Sequence, residues 1–243
     1  MNKKRYLRML VCLLAAVMLL SSCGTVSLKY DSAQKGYVRS SDNTVFYLAP
    51  ETYLAAAVDK EEVLAELIQG DQKLSVYPIC ENEKNSNMDT NSWLADEKYS
   101  VYYANGTALP QLWEMDVCVI DIMTITEKPF SLGCVSEVHE VQKVVDLYQS
   151  GESFAFGALK REMNLLTYQK DYYKYQILFS SARYPGLCYV LTLYHFNRDV
   201  SIELEDGEDV KLTNVGRNVI LDPTTGLCYA VEDVFDVYFN QDA

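Results

Sequence analysis

Apolar runs with strand character recur along most of the chain, and their order constrains the fold more than any other feature. The runs lie at 74–80, 98–104, 115–126, 153–159, 172–179, 187–196, 200–204, 210–213, 218–221 and 227–231. Polar loops such as 81–92 separate them. Because predicted helices precede groups of strands without strict alternation, the order indicates an α+β fold with a largely antiparallel sheet and a few short helices.

The first predicted helical region lies between Leu48 and Gly70. Pro50 suits a first helical turn, and Asp59 with Glu62 forms a capping-box pattern. Gly70 would end this helix. Its apolar stripe consists of Val63, Leu64, Leu67 and Ile68.

A second helix is predicted at 138–150, and a short third one near 232–239. The second has an apolar face made of Val141, Val144, Val145 and Tyr148, and Gly151 would end it.

The order of these elements suggests a degenerate internal repeat. Glu62-Val63 matches Glu140-Val141, the run at Lys98 matches the run at Lys174, and Cys118 matches Cys188. The interpretation is a helix followed by three strands, used twice, with halves at 45–130 and 131–243. The alternative is chance, because any α+β chain offers such matches.

The N-terminus has the composition of a secretory signal peptide. Lys3, Lys4, Arg5 and Arg8 precede an uninterrupted apolar run, Met9 to Leu20. A transmembrane helix needs about 20 apolar residues, and this run is shorter.

The sequence Leu20-Ser21-Ser22-Cys23 resembles the lipobox of bacterial lipoproteins. The resemblance covers residues 1–23 alone, and no family is recognised for the rest of the chain. It implies cleavage before Cys23, a diacylglyceryl group on the Cys23 thiol, and an extracytoplasmic protein anchored by acyl chains to the bacterial cell membrane or envelope. Two chains suffice for stable anchoring. The alternative is an ordinary signal peptide with an incidental cysteine.

These signals divide the chain into three parts. Residues 1–22 are the expected signal peptide, 23–44 a flexible polar tether, and 45–243 the α+β ectodomain.

The charge balance limits the class of partner. The chain has 21 Lys and Arg against 34 Asp and Glu, a net charge of −13, and cleavage would remove basic residues only. Nucleic acid is excluded as a partner, because its binders neutralise phosphates with Lys and Arg. Acidity also disfavours adhesion of the protein surface to anionic lipid. A basic or neutral partner is compatible, and so is acidity that serves solubility alone.

The cysteines give no sign of a metal site or a complete disulfide framework. Besides Cys23, the expected ectodomain contains Cys80, Cys118, Cys134, Cys188 and Cys228, an odd number. No CxxC and no Cys/His cluster occurs, so no metal or cofactor is expected. Cys118 and Cys188 lie in apolar strand-like runs, where we expect buried free thiols.

Catalytic motifs are equally scarce. The two histidines are His139 and His195. His195 with Asp199 and either Ser180 or Ser181 could form a triad, but no GxSxG elbow accompanies them. We therefore expect structural histidines and name no catalytic residue.

The acidic run 203–209 raises the question of calcium, but it lacks the EF-hand pattern and is predicted to be a solvated hairpin tip. For this hairpin, 200–213, we predict an odd loop of three or five residues. That loop would pair Leu204 with Val210 and Ile202 with Leu212, so that apolar side chains share a face.

Three functions remain open. The preferred hypothesis is a non-catalytic ectodomain that binds a protein or carbohydrate partner, or contributes to an envelope assembly. The alternatives are an extracytoplasmic hydrolase and a carbohydrate-binding module that uses some of the 19 tyrosines. Coplanar exposed tyrosines would favour the last.

Overall fold

The computed structural model describes residues 26–58, 60–79, 92–150, 153–166, 171–206 and 209–239. Most of these residues lie in strands, accompanied by a few short helices, which confirms a β-rich α+β fold. Within these ranges, no helix has the length and apolar character needed to cross a bilayer.

The strands and helices are numbered in chain order. The strands are β1 (Ser27–Asp31), β2 (Gly36–Arg39), β3 (Val45–Leu48), β4 (Tyr53–Ala55), β5 (Ala65–Gln69), β6 (Gln72–Pro78), β7 (Trp93–Asp96), β8 (Val101–Ala104), β9 (Val117–Thr124), β10 (Ser131–Val135), β11 (Ser153–Ala155), β12 (Tyr172–Ser181), β13 (Leu187–Asp206), β14 (Asp209–Leu221) and β15 (Leu227–Val231). The α-helices are α1 (Val138–Ser150), α2 (Phe156–Leu166) and α3 (Asp236–Phe239); 3-10 turns cover Leu112–Glu114 and Asp233–Phe235.

The N-terminal strands close into a barrel in the order β1-β2-β3-β8-β7-β6-β5. A parallel pairing of β1 with β5 completes the closure, and the other neighbours are antiparallel. Side chains fill the interior, as in other small barrels. These inward residues are Leu28, Phe46, Ala65, Leu67, Val76, Leu94, Tyr102 and Ala104.

The remaining strands form an antiparallel sheet in the order β10-β9-β12-β13-β14-β15-β11, with β4 beside the start of β13. Helix α1 covers one face and buries Val141, Val144, Val145 and Tyr148, so this helix and its apolar face are confirmed. Helix α2 packs Leu159 and Met163 against the other face. One apolar core joins barrel and sheet, because Trp93 and Val101 belong to the same cluster as Ile120 and Phe179.

The expected tether, 23–44, is wrong over its described part. Residues 27–31 and 36–39 form β1 and β2, and Leu28 is fully buried in the barrel. The segment looks polar because a short barrel strand turns only one face inward, so one or two apolar residues are enough to place it.

The helix expected between Leu48 and Gly70 is also wrong, since the region contains β3, β4 and β5. Ala65 and Leu67 point into the barrel with the period of a strand, while Glu66 and Ile68 are only half-buried. Gly70 has a φ of 60° at the first position of the two-residue loop between Gln69 and Gln72, as a type II′ hairpin turn requires. Asp59, the expected N-cap, lies outside the described residues.

The internal repeat is not confirmed. The run at Lys98 contributes β8 to the barrel, whereas its supposed copy at Lys174 is part of β12 in the sheet. The boundary between the proposed halves, 130/131, falls within the connection of the β9–β10 hairpin.

Several strand predictions need smaller corrections. The run 153–159 is strand only to Ala155, after which α2 begins, and β7 and β10 were not predicted. The runs 187–196 and 200–204 form one strand, β13, and 210–213 with 218–221 form β14.

The hairpin of β13 and β14 exists, but its predicted odd loop is wrong. Leu204 pairs with Lys211 and Ile202 with Thr213, and Asp206 pairs with Asp209 across Gly207 and Glu208, which lie outside the described residues. The predicted register placed Val210 and Leu212 on one apolar face with Leu204 and Ile202. Val210 and Leu212 are instead 62% and 68% exposed and pair with Glu205 and Glu203, so burial on that face does not set the register.

Candidate functional site

The structure places the two histidines in very different environments. His139 lies at the exposed start of α1, with its Nε2 atom 2.8 Å from Oε1 of Glu140. His195 lies in β13 and is only 6% exposed. Only His195 is therefore in a setting that fixes the ring.

A chain of hydrogen bonds orients His195. Asn218 Oδ1 lies 2.8 Å from His195 Nδ1, and Asn218 Nδ2 donates to Asp236 Oδ1 at 2.6 Å and to the Glu232 carbonyl at 3.1 Å. A carbonyl oxygen can only accept, so the amide nitrogen must face Glu232 and the amide oxygen must face the ring. His195 Nδ1 therefore carries a hydrogen and donates it to Asn218.

Sheet register brings these residues together. Tyr173 of β12, His195 of β13 and Asn218 of β14 are direct cross-strand neighbours. Asp236 begins α3, which follows β15 and its 3-10 turn. The site thus forms where the C-terminal segment folds back over the sheet.

Aromatic rings extend from His195 in a row. The Phe239 ring lies 4.2 Å from the His195 ring at 27°, and the Tyr175 ring lies 4.8 Å from Phe239 at 22°. The Tyr173 ring follows at 6.4 Å and is 52% exposed. Centroids as close as 4.2–4.8 Å require overlapping faces, so His195, Phe239 and Tyr175 stack on one another. Stacked rings do not offer the coplanar exposed faces that a flat sugar-binding platform needs.

A cleft of about 390 Å³ lies beside Asn218 and Asp236. Four carboxylates line it, from Asp199, Glu232, Asp233 and Asp236, together with the guanidinium of Arg217. Arg217 Nε donates to Asp199 Oδ1 at 3.3 Å. We call this feature the acidic cleft.

The side chain of Lys143, in α1, lies at the rim of the acidic cleft. Its Nζ lies 2.7 Å from Glu232 Oε2 and 3.6 Å from Asp233 Oδ1. The hydrogen bond from Lys143 to Glu232 raises the pKa of the lysine. Even with Lys143 and Arg217 counted, the carboxylates are in excess, so the cleft favours cationic groups.

A break in strand pairing opens the cleft. The register of β13 and β14 shifts between the pair His195–Asn218 and the pair Val200–Gly216. Gly216 has a φ of 72°, and its N–H donates to the Asn214 side chain at 2.8 Å. This bulge carries Asp199 and Arg217 to the cleft wall.

Exposed apolar side chains continue the surface. Val210 and Leu212 alternate along β14 with Asn214, which lines the acidic cleft, so all three point to the same face. Val237, next to Asp236 in α3, is 64% exposed. We call the acidic cleft with Val210, Leu212 and Val237 the corner surface.

The imagined triad is not assembled. Ser180 pairs with Cys188, seven residues from His195 along β13, a separation of roughly 23 Å at 3.3 Å per residue. Asp199 is engaged by Arg217 rather than by His195. The Ser181 hydroxyl donates to the Met115 carbonyl and accepts from the Arg183 and Tyr184 amides, as a turn residue does.

Buried tyrosines have structural partners. The Tyr148 and Tyr189 hydroxyl oxygens lie 2.9 Å apart, and Tyr148 donates to Asp222 Oδ2 at 2.7 Å. Asp222 Oδ1 also accepts from the Thr224 amide at 2.8 Å, which holds the turn before β15. Burial, followed by these hydrogen bonds, raises the pKa of Tyr148. Much of the tyrosine content therefore serves packing.

Two of the described cysteines are buried and two are exposed. Cys188 is buried as expected, and burial raises its pKa; burial raises the pKa of Cys228 to about 12. Cys118 is exposed, contrary to the expectation, because it lies near the start of β9. All four described thiols are free, and Cys80 lies outside the described residues.

Among the described residues, no group of three or more His, Cys, Asp or Glu side chains has a geometry that could hold a metal ion. The acidic run 203–209 is a hairpin end, of which Glu203 is exposed.

Comparisons of the chain with known protein families, with curated proteins and with solved structures find no match.

Sequence reasoning missed the corner surface. Asn218 and Asp236 form no motif with His195, and Val210 and Leu212 were expected to share an apolar face with Leu204 and Ile202 rather than to be exposed. The sequence feature that could have indicated this surface was the group of acidic residues in 232–236.

Proposed function

We propose that the protein is a lipid-anchored component of a bacterial cell envelope, exposed outside the cytoplasm, whose folded part binds a partner without catalysing a reaction. The lipobox-like sequence ending in Cys23 supports the anchor, and the corner surface supports the binding role.

The observation that carries the binding role is the juxtaposition of exposed apolar side chains with excess carboxylates. Leu212 and Val210 expose apolar surface to water, and a partner that covers these side chains would bury that surface. The acidic cleft beside them would select for cationic groups on that partner. A basic protein segment fits both features, and self-association is disfavoured because the chain is strongly acidic.

The surroundings of His195 also favour binding over catalysis. Its Nδ1 is committed to Asn218, its ring stacks on Phe239, and Ser180 lies at the far end of the sheet. A general base needs a reacting group within hydrogen-bond reach, and neither serine of the imagined triad is there.

Anchoring is tested by detergent phase partitioning of the wild type and of Cys23→Ala. We expect the wild type to enter the detergent phase and the variant to remain in the aqueous phase. Entry of the variant into the detergent phase, with unchanged trimming, would disprove anchoring through Cys23.

Binding is tested by placing a photo-crosslinking residue at position 212 in intact cells. Position 48 is the matched control, because Leu48 is also a strand leucine and is 57% exposed, but lies on the barrel. We expect a discrete adduct from position 212 and none from position 48. Absence of an adduct at 212, or the same adduct at both positions, would contradict the assignment of the corner surface.

A further inference from the structure

We propose that the barrel end at which β1 begins faces the lipid head groups and lies against them. We call this end the anchor rim; it comprises Val26, the turn 40–44, the segment 60–64 and residues 104–107. The proposal rests on the proposed lipid anchor at Cys23.

Strand pairing fixes which end of the barrel this is. Strands β1, β3, β5 and β7 begin at the anchor rim, and β2, β6 and β8 end there, as their antiparallel and parallel pairings require. The turn 32–35 and the hairpin loop at Gly70 therefore lie at the opposite rim.

The chain is held in the barrel from its first described residue. The Val26 carbonyl accepts from the Glu66 amide at 2.9 Å, and the Ser27 carbonyl accepts from the Ser40 amide at 2.9 Å. Leu28 is fully buried. Drawing this segment out as a longer tether would open the barrel and expose its core.

Only Gly24 and Thr25 separate Cys23 from Val26. An extended chain spans at most about 3.6 Å per residue, so the Cα atoms of Cys23 and Val26 are at most roughly 11 Å apart. This is close to the Debye length of about 8 Å at physiological ionic strength. The anchor rim is thus confined to the head-group surface, whereas the opposite rim is farther away by at most the length of β1, roughly 17 Å for five residues, because barrel strands tilt from the axis.

The chemistry of the turn 40–44 suits this position, whereas the segment 60–64 places Lys60 beside the exposed Glu61 and Glu62. The turn presents exposed Ser40, Ser41 and Asn43, and the charge of Asp42 is matched by Arg39, with Nη2 and Oδ2 2.8 Å apart. Arg39 holds the pKa of the Asp42 carboxyl well below its usual range. Uncharged hydroxyl and amide groups hydrogen-bond to head groups without the repulsion that most of this acidic surface would meet. Strands β6 and β7 also reach this rim, and the residues between Ile79 and Ser92 lie outside the described part.

The test compares probes at the two rims of the full lipidated protein. Ser41→Cys labels the anchor rim and Ser32→Cys the opposite rim, both replacing exposed serines. Cys80, Cys118 and Cys134 are changed to Ser in both proteins, while the buried Cys188 and Cys228 are kept. Each labelled protein is reconstituted in phosphatidylcholine and phosphatidylglycerol vesicles whose head groups carry a nitroxide quencher.

We expect at least about twofold greater loss of fluorescence at position 41 than at position 32, because the probes are separated by the length of β1, up to roughly 17 Å in height. Inserting 20 Gly and Ser residues between Thr25 and Val26 should remove this difference, since such a linker reaches roughly 25 Å. Equal quenching in vesicle-bound protein without the insert, or stronger quenching at position 32, would overturn the orientation while leaving the anchor intact. Failure of the wild-type protein to float with vesicles would instead overturn the anchor.

Discussion

Leu28 provides the sharpest test that the residues following Cys23 belong to the barrel. Its side chain is fully buried beside Phe46, Leu67 and Val76. Truncation of a buried leucine costs 2–5 kcal/mol from lost transfer free energy and the cavity left behind. The barrel is small and closed, so we expect Leu28→Ala to lower the free energy of unfolding by about 3 kcal/mol.

The assay is urea unfolding of the non-lipidated Cys23→Ala protein, with and without Leu28→Ala. If the free energy of unfolding falls by about 3 kcal/mol per molar urea, the upper end of the usual range, the urea midpoint should fall by roughly 1 M. Lys29→Ala is the control, because Lys29 is exposed on the same strand, and its effect should stay within about 0.5 kcal/mol. If Leu28→Ala matched this control, the segment would be a tether and not a strand of the barrel.

The parts of the fold that could be predicted from sequence are those whose signal is local. Helix α1 has an apolar stripe, β12 is rich in aromatic and branched apolar residues, and β15 is a continuous apolar run, so their positions follow from residues close in sequence. The lipobox-like segment is also a local signal, and the anchor inferred from it stays a prediction.

The barrel could not be predicted because its strands are short and each buries few residues. Leu28 is the one fully buried side chain of β1, and Leu67 of β5 lies at helical spacing from Leu64 and next to Ile68, which imitates part of a helical stripe. Their strand identity comes from pairing with residues far along the chain, such as Leu28 with Leu67. Tertiary pairing here outweighs local propensity.

The candidate site was hidden for a related reason. His195, Asn218 and Asp236 come from three elements. Sheet register makes His195 and Asn218 neighbours, and the C-terminal segment that folds back over the sheet brings Asp236 to them. The hairpin register failed because sequence cannot tell whether an apolar strand face will be covered, and Leu212 is not.

Three further predictions follow from packing, polar satisfaction and ionisation. Gly186→Ala should lower the free energy of unfolding by more than about 2 kcal/mol, because Gly186 has a φ of 82° and an added Cβ would lie 2.4 Å from the Ile79 carbonyl oxygen. An unchanged urea midpoint would contradict this close contact between Gly186 and Ile79. Asn218→Ala should lower the free energy of unfolding by about 1–3 kcal/mol, because it leaves the buried His195 ring without its hydrogen-bond partner. Asn214→Ala, at an exposed site, should lower it less, and equal effects would show that the bond to His195 adds no stability. Burial raises the pKa of Tyr148, so the folded state keeps the phenolic proton while tyrosine in the unfolded chain ionises at about pH 10. The free energy of unfolding should therefore be intact below that pH and fall above it. The check is a pH series of urea midpoints with phenolate absorbance, and midpoints that did not fall above that pH would contradict the buried network.

Lipid anchoring through Cys23 is tested most directly by mass spectrometry of the N-terminal peptide from membrane-extracted protein. We predict a mature chain that begins at Cys23 and carries a diacylglyceryl group on that residue. A mature chain that begins elsewhere, or an unmodified Cys23 thiol on the extracted protein, would contradict it.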